Sequence, residues 1–377
     1  MGEGSLGYAS RLIYRAELGG ELGAPEQAVS ADTSDKQARE LADLIRSSQH
    51  LVAFTGAGIS TSSGIPDFRG PDGVWTKQRQ GEPLPKASVP FEHACPSYTH
   101  QALLALQRAG RLHYLVSQNV DSLHLRSGFP RGSIAELHGN CFAERCETCG
   151  AEYVRDFEVG SVGFKPTGRR CAKDGCRGAL RDHCLDWDNA LPEDELAAAE
   201  RHAAKADLVL CLGTSMVITP ACDIPLRALF KRKHKPSGGK LVIVNLQSTP
   251  KDGKAALVIH AKVDGVMRVV MRELGVPMPS YIRTDSVLVS HALERKLLSS
   301  RLGSTAVLTL SLGSVHGEGC PLPWLASATV SLAHAPEGAA PAMMCGPRWR
   351  LELPCDVDCA HSPPLWVAEI KLALAEG

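Results

Sequence analysis

Two cysteine pairs, Cys146-x2-Cys149 and Cys171-x4-Cys176, stand 21 residues apart and constrain this 377-residue chain more than any other feature. Thiolates two to four residues apart reach one tetrahedral ion, and two such pairs close its coordination shell. A zinc ion with no open position cannot activate water, so the site is expected to be structural. Binding energy there is folding energy, and loss of one ligand should unfold the surrounding segment. Four unligated core cysteines or a redox Cys-x-x-Cys are the alternatives, but the second needs only one pair. Cys141 and Cys184, nearby singletons, read as packing residues. Thirteen cysteines behind an N-terminus with no continuous apolar run point to a reducing compartment.

The flanking sequence alternates short apolar runs with helical patterns. A helix is expected over 34–47, with Ala38, Leu41, Ala42 and Ile45 on one face. The run 51–54 follows and ends in the glycine turn TGAG. Further runs at 112–117, 208–212 and 241–245 suit buried parallel strands. Helices over 97–109, 193–204 and 263–274 separate them, and Gly110 and Gly275 close two of these. The fold class expected is therefore α/β: a Rossmann-like parallel-sheet domain over 34–140 and 191–276, with a small zinc domain inserted at 141–190. Residues 1–33 read as an irregular lead-in. The extension 277–377 changes period: Ala306, Leu308, Leu310 and Leu312 alternate with neighbours of mixed polarity (Thr305, Val307, Thr309 and Ser311), and Ala326, Ala328, Val330 and Leu332 alternate with Ser327, Thr329 and Ser331. Trp349, Leu351 and Leu353, and then Trp366, Ala368, Ile370 and Leu372, continue the pattern, which predicts an antiparallel β module over about 303–375.

GAGIST (56–61) follows a buried strand, where glycines let backbone N–H groups approach a pyrophosphate. Alone it is a weak signal. The third fingerprint glycine is Thr61, and no acidic residue ends a second strand to hold a ribose as a dehydrogenase requires. An ordinary tight turn is the competing reading. GIPDFRGPDGVW (64–75), SQNVDSLH (117–124), ELHGN (136–140), GTS (213–215) and VNLQ (244–247) add polar residues beside expected strand ends, where ligands sit in open α/β sheets.

TGAGIS, the PDFRG loop, QNVD and LHGN, followed by the two cysteine pairs, together resemble the sirtuin family over about residues 34–276. GIPDFRGPDGVWT, SQNVDSLHLRSGFPR, LRDHCLDWDNALP and IVNLQSTPKD look like its class IV branch. Ser122, where many sirtuins have glycine, and the N-terminal SLGYASRLIYR look like plant and green-algal members. The resemblance implies a large NAD-binding domain, a small zinc domain and an active site in the cleft between them. It implies that Ala57, Thr61, Phe68 and Arg69 contact NAD, with Trp75 closing over it. Gln118 would meet the ribose, while Asn119 and Asp121 would hold the nicotinamide pocket. Gly213, Thr214, Ser215, Asn245 and Gln247 would hold the adenosine half, and Val263 the adenine edge. His138 would be the catalytic base, for which an unperturbed pKa of about 6.5 is suitable. Outside that motif a lone histidine would read as a surface or core residue, and Asp67 and Asp121 as solvated carboxylates. Asp186 and Trp187 are candidates for the acyl-pocket wall. Ser122 departs from the common pattern and is expected to add a hydroxymethyl beside the nicotinamide pocket.

Zero formal net charge means that an anionic partner must use a local patch. Arg169, Arg170, Lys173, Arg177 and Arg181 offer one, read either as a solvated face or as a grip on an acidic surface such as a nucleosome's. The run 231–235 is either a nuclear import signal or a basic loop; class IV resemblance favours the nucleus. No run approaches the roughly 18 apolar residues of a membrane span. The function implied is NAD-dependent deacylation of lysines on histones or other chromatin proteins. Mono-ADP-ribosyl transfer and a chromatin scaffold with marginal catalysis are the alternatives, and NAD oxidoreduction lacks its ribose-binding acid.

Overall fold

The computed structural model describes residues 8–12, 14–15, 20–231, 238–297, 304–332, 341–346, 349–356 and 368–375. Two compact units divide it, Met1–Ile282 and Arg283–Gly377.

In the first unit, six parallel strands form one sheet: β1 (Leu51–Thr55), β2 (Leu112–Ser117), β3 (Ile134–Glu136), β8 (Leu208–Leu212), β9 (Lys240–Val244) and β10 (Leu257–Ile259). Their order is β10-β9-β8-β1-β2-β3. The chain runs outward from β1 on one side and from β8 on the other, so the topological switch lies between β1 and β8, where such sheets open a crevice at the strands' carboxyl ends. All five residues of β1 and of β8 are buried, as expected for strands covered on both faces.

Helix α1 is Tyr8–Arg11 and α2 is Ala31–Ser47; Ser30 caps α2 by accepting the Thr33 N–H, so this helix starts three residues before the expected 34. Helices α3 (Val74–Gln80), α4 (Tyr98–Arg108), α5 (Leu123–Arg126), α6 (Glu193–Lys205) and α7 (Val263–Leu274) follow. Ser97 and His100 close a reciprocal capping box on α4. Gly275, at φ 65°, ends α7. Ala38, Leu41 and Ile45 of α2 pack with Val266, Met267 and Val270 of α7 on one face of the sheet.

Between β3 and α6 the chain builds an antiparallel sheet in the order β5-β4-β7-β6, from β4 (Gly139–Cys146), β5 (Glu152–Val154), β6 (Pro166–Arg170) and β7 (Ala179–Cys184). Buried Glu144 accepts from Arg155 at 2.6 Å and Arg169 at 2.8 Å. A second charge cluster joins this sheet to α6. Arg131 and Arg145 both reach Glu152 and Glu195, and the Glu195 carboxylate also accepts the Glu136 N–H at 3.1 Å. Glu152, His183 and Glu195 lie close enough to share a cation, but the two guanidiniums already neutralise the carboxylates.

The second unit begins earlier than the expected 303. Strand β11 (Val287–Leu297) pairs antiparallel with β12 (Ser304–Ser314), which pairs with β15 (Arg350–Asp356). β13 (Leu325–Leu332) lies between β14 (Ala342–Cys345) and β16 (Ala368–Leu374). Leu308, Leu310, Leu312, Ala328, Val330 and Met344 share one core. The expected inward Ala326 is exposed and Leu325 is buried instead, because the register slips between Leu325 and Ser327 and a one-residue slip reverses the faces. The expected strand position Trp366 lies outside the described residues. Among the described residues no helix is long and apolar enough to cross a membrane.

Candidate functional site

A cavity of about 690 Å³ opens at the carboxyl ends of β1, β2, β8 and β9, within the range of small-molecule and cofactor sites. Its floor depends on glycines. A Cβ on Gly56 would sit 2.7 Å from the Gly213 carbonyl oxygen, and one on Gly58 would sit 2.9 Å from Gly213 Cα. The turns after β1 and β8 therefore interlock backbone to backbone, and the Gly58 N–H donates to Gly213 O at 2.9 Å.

The polar lining is already ordered. Gln118 Nε2 donates to the Thr214 hydroxyl at 2.8 Å. Asn119 Nδ2 reaches Gly56 O at 3.1 Å, and the Ser60 hydroxyl donates to Asp121 at 2.7 Å. Asn245 Nδ2 donates to Gln247 O at 2.8 Å. Arg69 lines the cavity with its guanidinium 4.6 Å from the Trp75 ring centroid; burial lowers its pKa to about 10, still cationic at neutral pH. Burial also raises the Asp67 carboxyl, partly offset by the Gly70 N–H and Arg69.

His138 stands where the parallel sheet meets the small one. Leu137 N–H bonds Ser117 O at 2.9 Å, and the His138 carbonyl accepts Leu185 N–H at 3.1 Å. Gly139 makes the bend at φ 78°, and a Cβ there would lie 2.0 Å from His183 O, so no other residue fits without moving a strand. His138 Nδ1 is 3.1 Å from Gln118 O. A carbonyl only accepts, so Nδ1 carries the proton and Nε2 keeps its lone pair. Desolvation, with a smaller contribution from Arg69, lowers the imidazole pKa to about 4. The ring is neutral at pH 7.

Of the residues anticipated from sequence, His138, Ala57, Phe68, Arg69, Trp75, Gln118, Asn119, Asp121, Gly213, Thr214, Ser215, Asn245 and Gln247 all line this cavity, as do Asp186 and Trp187. Thr61 and Val263 do not. Thr61 is exposed and turns its hydroxyl back to Gly58 O, while its neighbour Ser60 faces the cavity. Val263 opens α7 on the stripe it shares with Val266, Met267 and Val270, and packs into the core. Ser122 follows the lining residue Asp121; it is buried at φ 61°, and its hydroxyl accepts from Asn140 at 3.3 Å. Its hydroxymethyl does not enter the pocket.

The sequence reading missed Ser60, Ile65 and Leu185 on the cavity lining, and also two residues of the lead-in. Tyr8 and Leu12 line the cavity; the Tyr8 hydroxyl donates to Leu185 O at 3.1 Å and the Trp75 indole donates to Leu12 O at 3.0 Å. Arg15 adds a two-pronged contact to Asp188. The one available signal was the four-residue spacing of Tyr8 and Leu12, which puts them on one helical face.

Facing thiols in the four-cysteine cluster are 3.7 Å (Cys146–Cys176) and 3.6 Å (Cys149–Cys171) apart. All four lie within 4.8 Å of one another. Tetrahedral zinc with Zn–S near 2.3 Å sets thiolates about 3.8 Å apart, so the cluster fits the ion. Tyr153 Oη, 3.1 Å from Cys171 Sγ, lowers that thiol to about 6. Of the five basic residues nearby, Arg169 and Arg181 are paired with Glu144 and Glu147, whereas Arg170, Lys173 and Arg177 are exposed. The basic run's residues 232–235 lie outside the described residues.

Sheet order, crevice and thiolate cluster together define a Rossmann-like α/β protein with a structural-metal subdomain. The sequence profile of the Sir2 family matches residues 56–89 and 84–220. The NAD-dependent protein deacetylase SRT1 of Oryza sativa subsp. indica is 52% identical over 333 residues, covering 88% of this chain and 66% of that protein. The NAD-dependent protein deacetylase Sirt6 of Drosophila melanogaster is 45% identical over 269 residues, covering 70% of this chain and 83% of that protein. A solved structure of Sir2 with a deacetylated p53 peptide and 3′-O-acetyl-ADP-ribose is 32% identical at a TM-score of 0.50, covering 64% of this chain and 99% of that one. The chain belongs to the Sir2 family, the sirtuins.

Proposed function

We propose that this chain is an NAD-dependent protein-lysine deacylase, releasing nicotinamide and an O-acyl-ADP-ribose. The observation that carries the proposal is His138 at the cavity, with Nδ1 tied to Gln118 O and Nε2 left as a base. The donor set fits a dinucleotide: amides and hydroxyls for its sugars, and one buried guanidinium, Arg69, for its pyrophosphate. NAD supplies, when bound, a ribose carbon that the lysine's acyl oxygen attacks as nicotinamide departs.

Ala57, Phe68 and Arg69 hold the phosphate side, and Trp75 covers it. Gln118 orients the ribose, Asn119 and Asp121 hold the nicotinamide end, and Gly213, Thr214, Ser215, Asn245 and Gln247 hold the adenosine half. His138 Nε2 takes a ribose hydroxyl proton. Tyr8, Leu12, Ile65, Leu185 and Trp187 give the acyl side an apolar wall, which suits acetyl and longer chains. Cys146, Cys149, Cys171 and Cys176 hold one zinc ion.

Histone lysines in the nucleus are the substrates we assign. The exposed Arg170, Lys173 and Arg177 support contact with an acidic nucleosome surface. A panel of acyl-histone peptides and nucleosomes with NAD, read by mass spectrometry, tests these assignments. Equal nicotinamide and deacylated lysine is expected; ADP-ribose on protein without deacylation would replace this function with transfer.

A further inference from the structure

We propose that Cys141 and Cys184 form a redox-sensitive pair, which closes to a disulfide under a peroxide oxidant and slows the active site beside it. Cys141 lies on β4 and Cys184 ends β7, with their Sγ atoms 3.2 Å apart. Neither belongs to the four-thiol cluster. Both are buried with Tyr8, Leu12, Phe142 and Trp75 in one apolar cluster.

Backbone contacts connect the pair to the cavity. Cys141 N–H donates to Val120 O at 2.9 Å. Leu185, the residue after Cys184, donates to His138 O and accepts the Tyr8 hydroxyl. Val120, Leu185, His138 and Tyr8 all line the cavity. Burial holds the Cys141 thiol well above its ordinary value, so the pair is inert while Tyr8 covers it. The oxidant must therefore reach the sulfurs past Tyr8, which packs in the same cluster.

One sulfur takes an oxygen from hydrogen peroxide and becomes a sulfenic acid, with release of water. The second sulfur attacks it; the S–S bond forms, the S–O bond breaks and a second water leaves. Two electrons pass from sulfur to peroxide, and both thiol protons end on water. A disulfide needs about 2.05 Å between sulfurs, so closure draws the strands together by roughly an ångström. Gly139 already touches the His183 backbone and leaves no slack there, so the movement passes to Val120 and Leu185. An ångström of misplacement at reacting groups can cost about a hundredfold; shared along two strands, a loss of roughly tenfold is expected.

The effect on rate rests on the deacylase reading; the disulfide does not. The test treats the full zinc-loaded chain with hydrogen peroxide, then applies non-reducing peptide mass mapping, a chromogenic zinc chelator and a deacylation assay before and after dithiothreitol. The expected result is a linked Cys141–Cys184 peptide with zinc retained and activity down roughly tenfold until reduction. Cys184→Ala should neither cross-link nor respond. Should that variant fail to fold, the wild-type peptide map decides alone. Oxidised zinc ligands and released zinc with no linked peptide would overturn the pair, and a linked enzyme at full speed would overturn its coupling to the site. A reduced enzyme that cross-links but never deacylates would refute the function and uphold the redox pair.

Discussion

His138 donates its Nδ1 proton to the Gln118 carbonyl at 3.1 Å, and that single bond fixes which nitrogen faces the cavity. Burial holds the ring's pKa at about 4 rather than 6.5. For the free enzyme, kcat/KM should therefore stay level as pH falls through 6.5, with its acid limb nearer 4. An acid limb centred at 6.5 would contradict this environment.

The same burial has a cost in stability at low pH. His100 is lowered to about 3 and His183 to about 4. Between 6.5 and these values the unfolded chain binds protons that the folded chain refuses, so stability is present above 6.5 and is lost as pH falls below it. Urea midpoints at pH 7.5 and 5.5, with zinc content measured in both samples, should show the lower value at 5.5.

Removing a thiolate tests the metal cluster. Cys146→Ala should reduce bound zinc from one per chain to none and unfold the β4–β7 sheet, because ligation supplies that sheet's folding energy. Atomic absorption and limited proteolysis measure the two effects; full zinc content in the variant would exclude Cys146 as a ligand.

Ser122 sits at φ 61°, where a side chain costs about 1–2 kcal/mol. Glycine would relieve this, but it loses about 0.5–1 kcal/mol to chain entropy and about 1 kcal/mol with the Asn140 bond. Ser122→Gly should therefore be nearly neutral in thermal unfolding. Ser122→Ala keeps the strained conformation and loses the bond, so it should be destabilised by about 1 kcal/mol.

Strand runs such as Leu51–Thr55 and Leu208–Leu212 were legible because burial on both faces leaves them continuously apolar. The thiolate pairs were legible because metal geometry fixes their spacing. Local pattern could not show long-range docking: Tyr8 meets Leu185 across 177 residues, and nothing near Tyr8 in sequence marks that contact. Val263 and Thr61 show the opposite limit, since a motif names a neighbourhood while helix periodicity and turn geometry decide which side chain faces in. The slip at Leu325 was equally invisible, because alternation reads the same until a bulge reverses it.

Removal of residues 1–15 should leave the six-stranded sheet folded and lower kcat/KM at least tenfold, since Trp75 loses its Leu12 acceptor and the cavity loses Tyr8. Circular dichroism and steady-state kinetics separate the two effects. Unchanged kinetics would remove this segment from the site.

Side-by-side mass spectrometry of wild type and His138→Ala, with NAD and an acyl-lysine peptide, examines the base itself. The wild type should yield nicotinamide and deacylated peptide in equal amounts, while the variant should still bind NAD and deacylate at least about a hundredfold more slowly. Equal rates in the two proteins, or a wild type that neither retains nor cleaves NAD with any acylated peptide, would contradict the assignment.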